Sequence, residues 1–464
     1  MLDSVLQHID TDHDAAVGRL IEFARIPSVS TDPAYTTQVE QAAQWVATRL
    51  RDAGLVAELW PTAGHPCVYG ESPEVDGPTV LFYGHYDVQP PDPLDKWHTP
   101  PFEPTVRDAP GSGGPALYAR GASDDKGQVA CFLEALSAWH RVHGKLPCNV
   151  KVIIEGEEEM GSVNLPPVIE QHKDRLAADV CVVSDTSMWE TTPGQPQPSI
   201  VYALRGLVYF DVQLHGPRRD LHSGVFGGTL ANPCTILTRI LAGLFDEHHR
   251  VTIPGFYDDV LQLAPPERAA WEALGFDEKT FLGEIGVDTP YGEAGFSTLE
   301  RRWCRPACDL NGIYGGYMGE GAKTVIPTFA GAKVSFRIVA NQDPRKVAEG
   351  FEAWLRSHDT HGLRWEITHH GAAAPTAAPT DSPHVAAARR AVQRTFGRDP
   401  ALIREGATIP IVADFKQILG LDTILLGFGR VNDCLHSPNE KFDLRCLRWG
   451  ARTHAALLHE LAAH

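Results

Sequence analysis

Short apolar runs of strand length alternate with helical stretches along the first half of this chain, and that rhythm restricts it to an α/β sheet architecture. TVLFYG from Thr79, VKVIIEG from Val150 and VCVVS from Val180 are separated by a helix over about Lys126 to Val142 and by a further short helix. Two helices come first: Val39, Ala42, Val46 and Leu50 recur at helical spacing after a turn-like segment from Pro27 to Pro33. Around Leu204 the pattern changes. LVYFDVQLHG reads as a strand, a helix begins near Asn232, and AGAKVSFRIVA reads as a strand again. From Ser382 a helix in HVAAARRAVQRTF and a strand in TILLGFG resume the first rhythm. The sequence therefore predicts an α/β domain over 1–203 and 378–464, with an α+β domain inserted over 204–377.

A chain of 464 residues is long enough for two cores. Its 43% hydrophobic and 22% charged residues are those of a folded globular protein. With 41 Lys+Arg against 59 Asp+Glu the net charge is -18, an acidic surface that argues against nucleic acid and anionic membranes as partners. No apolar run approaches the roughly 20 residues of a membrane span, and the acidic start MLDSVLQHIDTDHD is unlike a signal peptide, so a cytoplasmic location is expected. Nine scattered cysteines fit reduced thiols better than a disulfide framework. Cys304 and Cys308 have no second pair or nearby His to complete a zinc site.

The chemistry-bearing residues fall directly after the strands. In open α/β sheets ligands bind at the carboxyl ends of strands, so this placement is informative before any motif is named. His85 and Asp87 follow VLFYG, Glu157, Glu158 and Glu159 follow VKVIIEG, Asp185 follows VCVVS, and His436 lies in the loop after TILLGFG. Asp124 and Asp125 precede the helix that starts at Lys126. Taken singly each has a bland reading: a hydrogen-bonded loop histidine, a solvated acidic face, an acidic helix N-terminus. Together at strand ends they describe a site.

Several carboxylates can share such a site only if positive charge is supplied, because like charges repel and are costly to desolvate. Two divalent metal ions meet that need. The mixed oxygen and nitrogen donors suit zinc first, with manganese or cobalt as alternatives. Spacing assigns further roles. Asp87, two residues beyond His85 on an extended chain, can reach its ring and fix its tautomer. In the EEE run neighbours point in different directions, so one Glu can ligate while the next faces the water as general base.

GHYDVQP (Gly84 to Pro90), RGASDDKGQ (Arg120 to Gln128), EGEEEMGS (Glu155 to Ser162), SDT (Ser184 to Thr186) and LHSPNE (Leu435 to Glu440) together resemble the carnosinase-like, cytosolic non-specific dipeptidases. The wider two-metal metallopeptidase family includes acetylornithine deacetylase, succinyl-diaminopimelate desuccinylase and aminoacylase. The resemblance implies an α/β metallopeptidase catalytic domain with an inserted ferredoxin-like lid and dimerisation domain. It implies that His85, Asp124 and Asp185 hold one metal and Asp124, Glu159 and His436 the other, with Glu158 as base, Asp87 orienting His85, and a cis peptide after Asp124. GPRRDLHSGVFGG (Gly216 to Gly228) resembles the segment whose histidine, here His222, reaches the partner subunit's site to stabilise the oxyanion. Arg337 in SFRIV, with Arg404 and Thr408 in REGATIP, matches residues that receive the substrate's carboxylate; Thr408 stands where relatives commonly carry Ser. The expected substrate is a small peptide, bound by a homodimer joined through the inserted domain. Two rivals stand beside hydrolysis of dipeptides with a free C-terminal carboxylate. One is an N-acyl-amino-acid deacylase on the same scaffold, the other a metal-binding protein without catalysis, which would lack a base or a ligand.

Overall fold

A computed structural model of the chain describes residues 1–191 and 195–463. It divides into two compact units. One comprises Met1–Tyr202, Ala378–Ile403 and Asp414–His464, the other Ala203–Ala377 and Arg404–Ala413.

In the first unit the strand Thr79–His85 is buried at every residue but the first, as a central strand covered on both faces must be. It pairs in parallel with Asn149–Glu155 on one side, His85 opposite Glu155, and with Val180–Val183 on the other. Thr423–Leu425 continues the parallel set beside Val180–Val183. Parallel pairing in this register sends Asp87, the Glu157–Glu159 turn and Asp185 out at the same edge. Cys67–Glu71 and Val56–Trp60 extend the sheet antiparallel.

The helix Lys126–His143 is buried almost all round and packs against Leu444–Ala462. It ends at Gly144, whose φ of 70° supplies the left-handed cap that other residues adopt at a cost. Phe132 on this helix stacks on Phe82 of the central strand, with ring centroids 3.8 Å apart. A smaller antiparallel sheet joins Thr105–Ala109, Gly114–Tyr118 and Lys441–Asp443, with Phe442 opposite Leu117. That pairing brings the loop carrying His436 alongside the loop carrying Asp124.

The second unit runs strand, helix, strand, strand, helix, strand: Gly206–His215, Pro233–Ala242, Ala307–Gly315, Phe329–Ile338, Pro344–Arg356 and Arg364–Ala373. Its four strands form one antiparallel sheet in the spatial order second, third, first, fourth, which is the ferredoxin-like arrangement. Burial alternates strictly along Gly206–His215, the period-2 signature of a sheet with one covered face. Val208, Phe210, Val212 and Leu214 meet Leu237, Leu241, Phe351 and Leu355 of the two helices in its core.

One boundary differs from the sequence expectation. Residues Arg404–Ala413, placed by their position after 378 in the α/β domain, cluster with the second unit. The physical reason is a set of hydrogen bonds: Thr408 Oγ1 donates to the Arg205 carbonyl at 2.7 Å and accepts from Arg337 Nη1 at 2.8 Å. Arg205 Nε also donates to the Gly406 carbonyl at 3.0 Å.

Trp139 is 1% exposed and donates its indole N–H to the Ala455 carbonyl at 3.1 Å, so it locks the two long helices of the first unit together. Trp139→Ala is expected to destabilise that unit by about 3–5 kcal/mol, read as a lower urea midpoint by circular dichroism. An unchanged midpoint would show that this helix pair does not limit stability.

Candidate metal centre and active site

Two groups of side chains converge at the strand edge of the first unit. His85, Asp124 and Asp185 each offer a ligand atom, and these atoms lie within 4.8 Å of one another; Asp124, Glu159 and His436 do the same. Asp124 belongs to both groups, and its two oxygens face different imidazoles. Oδ1 lies 3.0 Å from His85 Nε2, and Oδ2 lies 2.9 Å from His436 Nε2. Asp185 Oδ2 is 4.0 Å from His85 Nε2, and Glu159 Oε2 is 3.4 Å from His436 Nε2. The arrangement has the form of two cation positions sharing one carboxylate.

Local sequence explains how these groups come so close. A Cβ on Gly84 would lie 2.8 Å from Asp125 Oδ2, so glycine there lets Asp125 accept the backbone N–H of His85. A Cβ on Gly127 would lie 2.1 Å from the Ala122 carbonyl, so glycine in the first helical turn lets the Asp124 loop fold against its own helix. The peptide bond between Asp124 and Asp125 is cis.

Asp87 is fully buried and acts in two directions. His85 Nδ1 faces its carbonyl at 3.1 Å and its Oδ1 at 3.3 Å. Its carboxylate also accepts the backbone N–H groups of Glu158 and Glu159, at 3.2 and 3.1 Å, and the Ser30 hydroxyl at 2.6 Å. The same carboxylate that stands behind the His85 ring therefore shapes the acidic turn. Within that turn Glu159 faces His436 and accepts Gln89 Nε2 at 2.7 Å. The Glu158 carboxylate makes no hydrogen bond or ion pair among the described residues.

Charge crowding is evident from the proton affinities. Burial pushes Glu158 up to about 8, with the charges of Glu159, Asp124 and Asp87 adding to the shift against the pull of His85. Burial and the Asp124 charge raise Asp185 well above the usual carboxylate range. Hydrogen bonds to Asp124 and Glu159 hold His436 up to about 10. Burial opposes protonation of His85, yet its bonds to Asp124 and Asp87 outweigh that and raise it. Groups that retain protons because negative charge is concentrated in a buried space are the setting a divalent cation fits, and this oxygen and nitrogen donor set suits one.

The remaining predicted site residues belong to the second unit. His222 is exposed at the end of the short strand Leu221–His222, and its Nδ1 accepts the Gly224 backbone N–H at 2.9 Å. That bond orients the ring and leaves Nε2 outward. Arg337 Nη1 donates to Thr408 Oγ1 at 2.8 Å, and the charge of Asp309 also acts on its guanidinium. Arg404 donates its Nε to Glu267 Oε1 at 2.9 Å, its Nη2 bonds the same oxygen, and Trp271 lies against its guanidinium. A guanidinium so engaged shapes the loop. Arg205, which no motif singled out, instead sits beside Arg337, and both grip the 406–408 segment. In the sequence it is simply a charged residue just before the strand-like LVYFDVQLHG.

A model of Peptidase family M20/M25/M40 matches residues 81–460. The Cys-Gly metallodipeptidase dug1 of Schizosaccharomyces pombe is 34% identical, covering 100% of this chain and 98% of the relative. The human Beta-Ala-His dipeptidase is 33% identical over 100% of this chain and 93% of its own length. Among solved structures, the metallo-carboxypeptidase Sso-CP2 of Sulfolobus solfataricus superposes with a TM-score of 0.84 at 32% identity, over 97% of this chain and 99% of that one. No helix among the described residues is long and apolar enough to cross a membrane. Matched over most of its length by the family model and over all of it by relatives above 30% identity, the chain belongs to Peptidase family M20/M25/M40.

Proposed function

We propose that this chain is a two-cation dipeptidase, cutting the amide bond one residue before a free carboxylate. The observation that carries the reading is Asp124, whose two oxygens face His85 and His436 separately. Whole-length similarity to Cys-Gly and Beta-Ala-His dipeptidases supports the substrate class. We assign one cation to His85, Asp124 and Asp185 and the other to Asp124, Glu159 and His436, with zinc the first choice from the donor set and manganese or cobalt as alternatives. When bound, the cations supply the positive charge that polarises the scissile carbonyl and acidifies water.

The chain's own residues do the rest. Glu158, half-buried and with its carboxylate free of hydrogen bonds among the described residues, takes a proton from the attacking water and returns it to the leaving amine. Asp87 keeps the His85 ring oriented and, by holding the backbone of the acidic turn, keeps Glu158 apart from Glu159. We assign His222 to the oxyanion of a partner subunit in a homodimer formed through the inserted domain, following the family resemblance. Arg337 and Thr408 receive the substrate carboxylate. The engagement of Arg404 by Glu267 gives it a supporting part.

Glu158→Gln removes a proton carrier and leaves both candidate ligand sets intact. It is expected to keep two metal ions per chain by elemental analysis while kcat on a dipeptide falls by roughly 10²–10⁴-fold. Loss of metal, or near-normal turnover, would overturn the assignment. Similarity to a metallo-carboxypeptidase makes substrate length the second test. Between a dipeptide, its C-terminal amide and a matching tripeptide, the amide should lose at least about tenfold in kcat/KM, since one charge-assisted hydrogen bond contributes about 1.5–3 kcal/mol. Equal rates on dipeptide and amide would remove the carboxylate anchor. Faster cleavage of the tripeptide would favour the carboxypeptidase reading, and preference for acyl-amino acids the deacylase.

A further inference from the structure

Behind Asp124 lies a second carboxylate that touches neither cation position. Glu440 is completely buried, and its two oxygens accept four N–H groups from one short stretch of chain. Oε2 accepts Arg120 Nη1 and the Gly121 backbone N–H, both at 2.8 Å; Oε1 accepts the backbone N–H groups of Ser123 at 2.9 Å and Asp124 at 3.1 Å. Four donors and no acceptor leave no partner for a carboxyl proton. Glu440 therefore serves them as an anion, with Arg120 opposing the burial that pushes it up to about 7.

Its position along the chain matters as much as its bonds. Glu440 stands four residues after His436, on the loop that delivers that imidazole. It therefore ties the His436 loop to the backbone of Asp124 itself. The tie is reinforced nearby: Asp433, also buried, accepts the Ser123 hydroxyl at 2.9 Å, the Arg430 backbone N–H at 2.8 Å and Lys441 Nζ at 2.8 Å. Asn439 anchors the far side of the loop through the His98 N–H and the Lys96 carbonyl.

We infer that Glu440 is a positioning residue: by gathering the backbone N–H groups of Gly121, Ser123 and Asp124 onto one carboxylate, it fixes the orientation in which Asp124 presents its two oxygens to both cation positions at once. Because Asp124 is shared, a fault in Glu440 reaches both positions, although Glu440 lies on the His436 loop. A glutamine there would turn a donor NH₂ toward N–H donors and leave Arg120 with an uncompensated buried charge. Orienting partners of this kind are typically worth 10–100-fold in metal affinity.

The inference rests on the two-cation reading, and the test separates the two. Zinc is titrated into the metal-free chain against a competing chelator, well below the melting temperature, with circular dichroism recorded on the same samples. Wild type binding two zinc ions establishes the reading; failure to bind would sink that reading before Glu440 is examined. Glu440→Gln should then weaken both sites by about 10–100-fold with an unchanged circular dichroism spectrum. Glu440→Asp keeps the charge but withdraws the carboxylate by one methylene, and should lose about tenfold at both sites, which keeps the inference testable should the glutamine variant not fold. Wild-type affinity at both sites in a folded variant, with only a lower melting temperature, would make Glu440 merely structural. Weakening confined to one site would show that it acts through the His436 loop and not through Asp124. Either result overturns the inference.

Discussion

Carboxylates brought together away from water repel one another and lose hydration, and the cost must be met by positive charge in the same small space. In this chain the requirement centres on Asp124, which two imidazoles approach from opposite oxygens while Asp185, Glu158 and Glu159 crowd around. The parallel register of the central strands aims His85, Glu158, Glu159 and Asp185 at one edge, and the loops carrying Asp124 and His436 meet them there. Glycines at 84 and 127 allow the close approaches. Buried anions that never reach the cation positions, Asp87 and Glu440, use their oxygens to hold backbone N–H groups of the loops that do. The edge of the sheet thus has two tiers, one whose atoms could hold cations and one that hydrogen-bonds the loops carrying them.

The α/β alternation was legible because buried strands and helices impose different apolar periods, and those periods survive in TVLFYG, VKVIIEG and VCVVS. The gathering of acids and histidines at one edge was legible for a related reason: His85, Asp87, the Glu157–Glu159 run and Asp185 follow parallel strands, which share a carboxyl-end edge, while Asp124 and His436 come to it on loops. What could not be read was anything decided by side chains meeting across long stretches of sequence. Residues 404–413 look from their position like part of the α/β domain, yet hydrogen bonds to Arg205 and Arg337 assign them to the second unit. Arg404 carries the motif's charge, but Glu267, far away in sequence, takes it up.

Glu440 shows the same limit within a motif. The pattern LHSPNE carries both His436, whose imidazole marks a ligand, and Glu440. Nothing in the local sequence says that a glutamate four residues later will collect four N–H groups from residues 120–124. That role exists only because Lys441–Asp443 pairs with Gly114–Tyr118 and so lays one loop along the other. A short antiparallel pairing thus lays the loop of Glu440 along the backbone of Asp124.

The central claim is that Asp124 joins two cation positions, and electron paramagnetic resonance of the chain loaded with two equivalents of Mn(II) tests it most directly. Ions about 3.5–4 Å apart and sharing a carboxylate are magnetically coupled, so the account predicts a multiline spectrum with hyperfine splitting narrower than that of a single ion. A spectrum made only of isolated Mn(II) ions, with both equivalents bound, would contradict it.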